Sequence, residues 1–273
     1  MRRYLTLLFL ILSINLLFSP IVSGEIFTDS GLVDIPTGKV LKHGIFGVGV
    51  NTSFLNEPSL SREVTSLSVN FGMFDRLEIG LSHLLEIKNG LPSGSLAHLK
   101  TQVIAESGLI PNIALGVENL GDKIQPKWIT YQPQSAFLVI SKTFTIPKLP
   151  IFMGHIGIGN HRFASTDQNF GVFGGVSMES QPSYIRGILK LNLEFDGNGI
   201  NTGLRHTADT GLQVAIGVDT LNKPEETRYL FSVSWTNEKM IEQIAGANRL
   251  ARQAARLATQ AKNRSINTET QEE

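Results

Sequence analysis

The feature that most constrains this chain is alternation. From about residue 43 to 235, apolar residues and small or polar residues take turns in segment after segment. Thr65, Leu67, Val69, Phe71 and Met73 alternate with Ser66, Ser68, Asn70 and Gly72. Leu77, Ile79 and Leu81 alternate with Glu78, Gly80 and Ser82, and only Phe74-Asp75-Arg76 separates the two runs. Successive side chains of a strand point to opposite faces, so each run has one apolar face and one small polar face, and the pair predicts a hairpin. The same pattern sets Leu99, Thr101 and Val103 against His98, Lys100 and Gln102, and Leu189, Leu191, Leu193 and Phe195 against Lys190, Asn192, Glu194 and Asp196. It ends with Tyr229, Phe231, Val233 and Trp235 against Leu230, Ser232 and Ser234.

About twelve strands are expected, near 44–53, 64–73, 77–85, 96–105, 112–118, 135–143, 151–160, 169–178, 187–195, 199–206, 211–218 and 228–235. The connections after the second, fourth, sixth, eighth and tenth are mostly short. Those after the first, third and fifth are longer, and Glu118–Gln134 is the longest. Short turns on one rim and long loops on the other are the habit of an outer-membrane barrel, and an even strand number puts both ends on the short-turn side. The fold class expected is therefore all-β: a transmembrane antiparallel β-barrel of about twelve strands followed by a periplasmic α-helix.

Periodicity does not say which face meets water. In a soluble sandwich the apolar face points inward; in a membrane barrel it meets lipid. The polar face here is rich in Gly, Ser and Ala rather than Lys and Glu. Aromatics gather near strand ends (Phe46, Phe54, Phe71, Phe74, Phe195, Tyr229 and Trp235), and no helix is available to cap a core. These features favour the membrane. Glu78, His98, Lys100, Glu118, His155, Lys190, Glu194 and Arg205 then point into the lumen, and their mixed signs suggest a salt-bridged, narrow or plugged interior. The alternatives are a conducting path lined by these groups and structural pairing that stiffens the wall. Trp128 and Tyr131, in the longest loop, are candidates for stacking on a sugar ring.

Such a barrel has to be exported. Arg2 and Arg3 precede an apolar run from Leu5 to Phe18, and Val22-Ser23-Gly24 ends in a small residue. That is the pattern of a secretory signal peptide cut near Gly24, and the run is shorter than the roughly 20 residues of a membrane span. The expected location is the cell outer membrane, with outer-membrane lipid as the surroundings. The expected organisation is a signal peptide (1–24), an N-terminal periplasmic lead-in (25–42), the barrel (43–235), a helical tail (236–264) and a disordered tail (265–273).

Several short runs resemble a known family. Ser30-Gly31-Leu32-Val33-Asp34-Ile35-Pro36-Thr37-Gly38-Lys39-Val40-Leu41, followed by Gly44 to Gly49, is similar to the opening motif of YjbH-like outer-membrane proteins. Leu109–Val117, Phe173-Gly174-Gly175-Val176, Leu189–Gly197 and Asn201-Thr202-Gly203-Leu204-Arg205 resemble later family strands in the same order. The resemblance spans about 30–235. It implies a barrel associated with export or regulation of extracellular polysaccharide, with no enzymatic residues attached. Larger family members carry more barrel-like sequence than this single set of strands. Within the opening motif, Pro36 holds Ile35 extended and blocks a helix. The segment is expected either to cross the periplasmic mouth as a plain lead-in or to make a plug-like contact.

Beyond Trp235 the period becomes helical. Met240, Ile244, Ala247, Ala251, Ala254, Ala258 and Ala261 recur at four-three spacing, flanked by Leu250 and Leu257. This is one narrow stripe on a helix. Arg249, Arg252 and Arg256, with Lys262 and Arg264, make the second half basic, and they are candidates for binding a partner. The stripe could pair with a partner helix or with itself, the helix could fold into the barrel mouth, or its basic face could meet anionic lipid, glycan or peptidoglycan; polysaccharide export components or periplasmic proteins are the partners it could take, and a solvated extension with none is a further possibility.

Nothing in the chain points to catalysis or a cofactor. There is no Cys, so disulfides, thiolate metal sites and a cysteine nucleophile are excluded. Lys plus Arg and Asp plus Glu balance at 24 each, which gives no electrostatic footprint for nucleic acid. No Gly-x-Ser-x-Gly, His-Glu-x-x-His or phosphate loop occurs, and the six His have no metal-ligand spacing. The functional reading is export or assembly of envelope polysaccharide, with a small-solute porin, or a structural barrel anchoring a periplasmic partner, as alternatives.

Overall fold

In the computed structural model of the chain, residues 31–55, 62–85, 94–121, 134–164, 168–224 and 227–269 are described. The signal segment and the loop aromatics Trp128 and Tyr131 lie outside them. The strands are β1 (Phe46–Leu55), β2 (Arg62–Met73), β3 (Leu77–Leu84), β4 (Gly94–Ile104), β5 (Asn112–Gly121), β6 (Ser135–Phe144), β7 (Ile151–Asn160), β8 (Phe170–Ser180), β9 (Ile188–Phe195), β10 (Ile200–Thr207), β11 (Leu212–Asp219) and β12 (Arg228–Thr236). Each pairs antiparallel with its neighbours in sequence, and β1 pairs with β12, so the sheet closes into a twelve-stranded barrel. Closure leaves no edge strand with unpaired backbone groups.

The closing seam runs from Gly47 opposite Thr236 to Leu55 opposite Arg228. Asn237 fastens its end: Oδ1 accepts the Phe46 N–H at 2.8 Å, and Nδ2 donates to the Gly44 carbonyl at 3.0 Å. Helix α1 (Glu238–Glu269) starts one residue later. It runs five residues beyond the expected end at 264, because no Gly or Pro in Ser265–Glu269 stops it.

The wall has its polarity reversed relative to a soluble sandwich. On β2, Ser66 is fully buried while Leu67 and Val69 are 45% and 48% exposed. The same reversal recurs around the barrel, with Val48, Leu81, Leu115, Ile156, Val172, Leu193, Ile216 and Phe231 exposed. Ser82, Lys100, His155, Asn192, Arg205 and Ser232 are buried. Apolar side chains face out and polar ones face in, as alternation allows but does not dictate.

The sector from β5 to β8 departs furthest from this rule. Ala114 on β5, Phe137 and Val139 on β6 and Phe173 on β8 are buried apolar residues inside the barrel. Phe163, on the 3-10 turn His161–Phe163 after β7, joins them. Ala136-Phe137-Leu138-Val139-Ile140 is apolar on both faces, so β6 meets an apolar environment on each side. Gly157 makes room for the cluster: a Cβ there would lie 2.2 Å from Cζ of Phe173.

Candidate functional site

The segment of residues 31–43, ahead of β1, lies inside the barrel. It begins beside the long-loop rim, against Glu194 and Arg162, and descends to Asp75 in the β2–β3 turn on the short-turn rim. Of the two placements expected for it, the plug is the one seen: Leu32, Val33, Ile35 and Thr37 are all buried. The sheet is already closed, so this irregular segment has no ladder partner, and its backbone groups need other acceptors and donors.

Side chains of the wall supply them. The N–H groups of Val33 and Asp34 donate to the Glu194 carboxylate at 3.1 and 2.6 Å. Arg205 donates to the Leu32 carbonyl at 3.4 Å. Gly38 N–H donates to Ser141 Oγ at 2.7 Å, and Gln102 Nε2 donates to the Gly38 carbonyl at 3.0 Å. Leu41 N–H donates to Glu78 at 2.9 Å and His43 N–H to Asp75 at 2.8 Å. Pro36, which has no N–H to satisfy, is buried just after the bend at Val33–Ile35.

Arg162 clamps the upper end. Its Nη1 and Nη2 donate to Asp34 Oδ1 and to the Asp34 carbonyl, both at 2.8 Å, and its Nε donates to Glu118 Oε2 at 2.6 Å. The guanidinium lies 4.1 Å from the Phe163 ring centroid. Leu32 and Ile35 pack into the cluster of Ala114, Phe137, Val139, Phe163 and Phe173. Phe163 stacks on Phe173 at 4.4 Å and meets Phe137 edge-on at 6.1 Å, pairs worth about 0.5–1.5 kcal/mol each beyond their burial. Val33 packs separately with Ala215 and Leu230. Gly203 lets it approach: a Cβ there would lie 2.5 Å from Val33 Cγ2.

The eight residues expected in the lumen all sit on the inner wall, in several groups rather than one. Glu78 faces Lys100 Nζ at 3.5 Å and His98 Nε2 at 3.9 Å across β3 and β4. Glu118 belongs to the Arg162 clamp. His155 bonds Ser141 Oγ at 2.7 Å and Ser177 Oγ at 3.4 Å. Lys190 pairs with Glu179 at 3.7 Å and stands opposite Arg205 in register. Glu194 and Arg205 hold the plug. Apart from Glu78, the inner faces of β1, β2 and β3 are different: Asn51, Ser53, Ser66, Asn70 and Ser82 form a wall of small hydroxyls and amides.

Sequence reasoning missed Asp34, Arg162, Asn201 and the Asp219–Arg228 ion pair as interior groups. Arg162 lies on a turn outside every alternating run, so no periodicity marks it. Asp34 stands in a motif singled out for other reasons. Outside the strands, Glu106 forms a surface knot. It accepts from Thr143 N–H and Oγ1 at 2.9 and 2.8 Å and pairs with Lys142 at 2.9 Å. Burial alone would raise its pKa, but the Lys142 ammonium and the Thr143 donors outweigh that and hold the carboxyl below its usual range.

Arg249, Arg252 and Arg256 are exposed on α1. No group of three His, Cys, Asp or Glu able to hold a metal occurs among the described residues. No protein-family model matches the chain, and no curated protein matches it in sequence.

Proposed function

We propose that this chain is an outer-membrane barrel, exported through a cleaved signal peptide and stoppered by its own N-terminal segment, that serves export or assembly of extracellular or envelope polysaccharide. The observation that carries the membrane placement is the reversed polarity of the wall, with a belt of exposed Val, Leu, Ile and Phe around every sector. An apolar surface of that extent is a liability in water, and lipid tails are the surroundings that suit it. The strands, 8 to 12 residues long, match the 9–11 or so that a tilted membrane strand needs. No helix among the described residues is long and apolar enough to cross a membrane, and a closed barrel crosses with strands instead.

The polysaccharide role rests on the resemblance of residues 30–41, 109–117, 173–176, 189–197 and 201–205 to the YjbH-like family. The plug speaks against the alternative of an open small-solute porin, because side chains of β3, β4, β6, β9 and β10 hold it within the lumen. The test is deletion of the gene in its native host with quantification of secreted and cell-bound polysaccharide. A loss restored by the full chain supports the role; unchanged polysaccharide in the deletion strain removes it.

A second reading has its own observation. Residues 242–261 of α1 are exposed almost throughout, and the helix extends from the short-turn rim, the periplasmic side in this orientation. A barrel that anchors a periplasmic partner would present such a helix. Removing residues 239–273, which leaves the Asn237 fastening intact, separates the two. Polysaccharide output that survives the truncation argues against the anchor.

A further inference from the structure

The inner wall from β1 to β4 gathers enclosed polar atoms without partners. Asn51 Oδ1 and Ser53 Oγ on β1, Ser66 Oγ and Asn70 Oδ1 on β2, Ser82 Oγ on β3 and His98 Nε2 on β4 are buried, and none has a hydrogen-bond partner among the described residues. Such atoms are few in a folded protein, so six on four neighbouring strands call for a physical reason. Register places them in one patch. Asn51 stands opposite Ser66, Ser68 opposite Ser82, and Asn70 opposite Gly80, which itself stands opposite His98. Gly80 lets both side chains lean over it: a Cβ there would lie 2.4 Å from Asn70 Oδ1 and 1.8 Å from His98 Cε1. From Ser66 to Asn70 the patch runs about 13 Å along the strand, at roughly 3.3 Å per residue.

None of the six atoms holds the plug. From Leu32 to Gly38 the plug is fastened to side chains of β4, β6, β9 and β10, so the wall of β1 and β2 is the side from which it can part. An enclosed polar atom left unpaired forgoes the hydrogen bonds it makes to water in the unfolded chain. The closed lumen therefore carries a cost in this sector, which a hydrogen-bonding solute between plug and wall relieves. The chemistry of the atoms selects that solute. Amide oxygens accept, hydroxyls both donate and accept, and the nitrogen of a neutral imidazole does either. A solute rich in hydroxyls answers all of them. An oxyanion meets the lone pairs of Asn51 Oδ1 and Asn70 Oδ1. A cation finds the carboxylate beside the patch, Glu78, already taken by Lys100 at 3.5 Å and by the Leu41 N–H at 2.9 Å.

We infer that the inner wall of β1–β4 is a binding site for an uncharged, polyhydroxylated solute, a neutral stretch of glycan, seated between the wall and the plug. The inference deepens the proposed function and rests on it for the glycan as the natural source of those hydroxyls; the site itself rests on the unpaired atoms. It also separates binding from stability. A buried polar group that makes no hydrogen bond can be replaced by an apolar group of similar size without loss to the fold. Asn70→Leu and Ser66→Ala are such replacements, and each removes a group that the solute would use.

The test is isothermal titration of the full chain, refolded in a polyoxyethylene detergent that carries no sugar, with three probes: a maltooligosaccharide, an oligogalacturonate and an oligoglucosamine. The neutral maltooligosaccharide is expected to bind, with little dependence on salt, and to bind more tightly than either charged probe. Asn70→Leu and Ser66→Ala are each expected to weaken it about tenfold, while their urea unfolding curves match or exceed that of the wild type. Binding of none of the probes, preference for a charged one, or affinity unchanged in both variants overturns the inference. So does a clear loss of stability in both variants, which would show that these atoms already serve the fold. The role is decided separately by the deletion strain: maltooligosaccharide binding with unchanged polysaccharide keeps the site and removes the role.

Discussion

Arg162 joins three parts of the molecule that are far apart in sequence. One guanidinium takes the Asp34 side chain and carbonyl from the plug and the Glu118 carboxylate from β5, and its plane lies by the Phe163 ring. Replacing it leaves two carboxylates in a largely enclosed space without their cation. Removing one partner of such a buried pair costs about 3–5 kcal/mol. Arg162→Gln is therefore expected to lower the unfolding free energy of the barrel, read from urea titration in detergent, by an amount of that order. A change within the scatter of the wild type would mean that the clamp is solvated and weak. At Glu194, Gln keeps an acceptor for one of the Val33 and Asp34 N–H groups, whereas Ala leaves both bare, so Glu194→Ala should destabilise more than Glu194→Gln.

Glu106 gives a pH dependence with a definite sign. Its carboxyl is held below the ordinary range in the folded protein. A group with a depressed folded pKa adds stability above its unfolded value, about 4.3, and loses that contribution as pH falls through the folded value. Wild type is thus expected to be more stable than Glu106→Gln at pH 7. The gap should close as the pH drops below about 4.3, as read from urea midpoints at each pH.

At the scale of the elements, the plug carries the prediction. The plug is bound by apolar packing and by hydrogen bonds from many strands, so removing it should change the lumen. A chain lacking residues 31–43 is expected to give conductance steps in planar bilayers that the intact chain does not. Leu32→Asp, which drives a charge into the Phe163 cluster at unchanged chain length, should raise conductance in the same direction. Silence from both proteins, with heat-modifiable folding retained, would show that the lumen is closed by something else.

Much of this was legible beforehand. Expected strand ends fall within two residues of those observed, apart from β5, which runs three further to Gly121. Alternation reports strands well because each inner position is enclosed by the wall and each outer one is apolar. It is blind to the plug, whose contacts pair Val33 with Glu194 and Gly38 with Ser141 over large sequence distances. It is equally blind to the inward Phe137 and Phe173, which sit in segments where apolar residues on both faces erase the contrast. The mixed-sign lumen was visible as a set of residues, but not its division into the Glu78, Arg162 and Lys190 groups.

For the whole molecule, the deciding property is which way the two faces point. A closed wall with Ser66 buried and Leu67 and Val69 exposed suits surroundings that are apolar, as proposed above. The aromatics Phe46 and Trp235 meet edge-on at the seam near the short-turn rim, and Phe54 meets Phe231 higher up, where a membrane barrel carries its girdles. The most direct measurement is fractionation of expressing cells, with the envelope fraction run unboiled and boiled on a denaturing gel. The expected result is a detergent-resistant outer-membrane protein whose mobility shifts on boiling. A soluble periplasmic protein with no shift would contradict the membrane placement, and the export role proposed from it would fall with it.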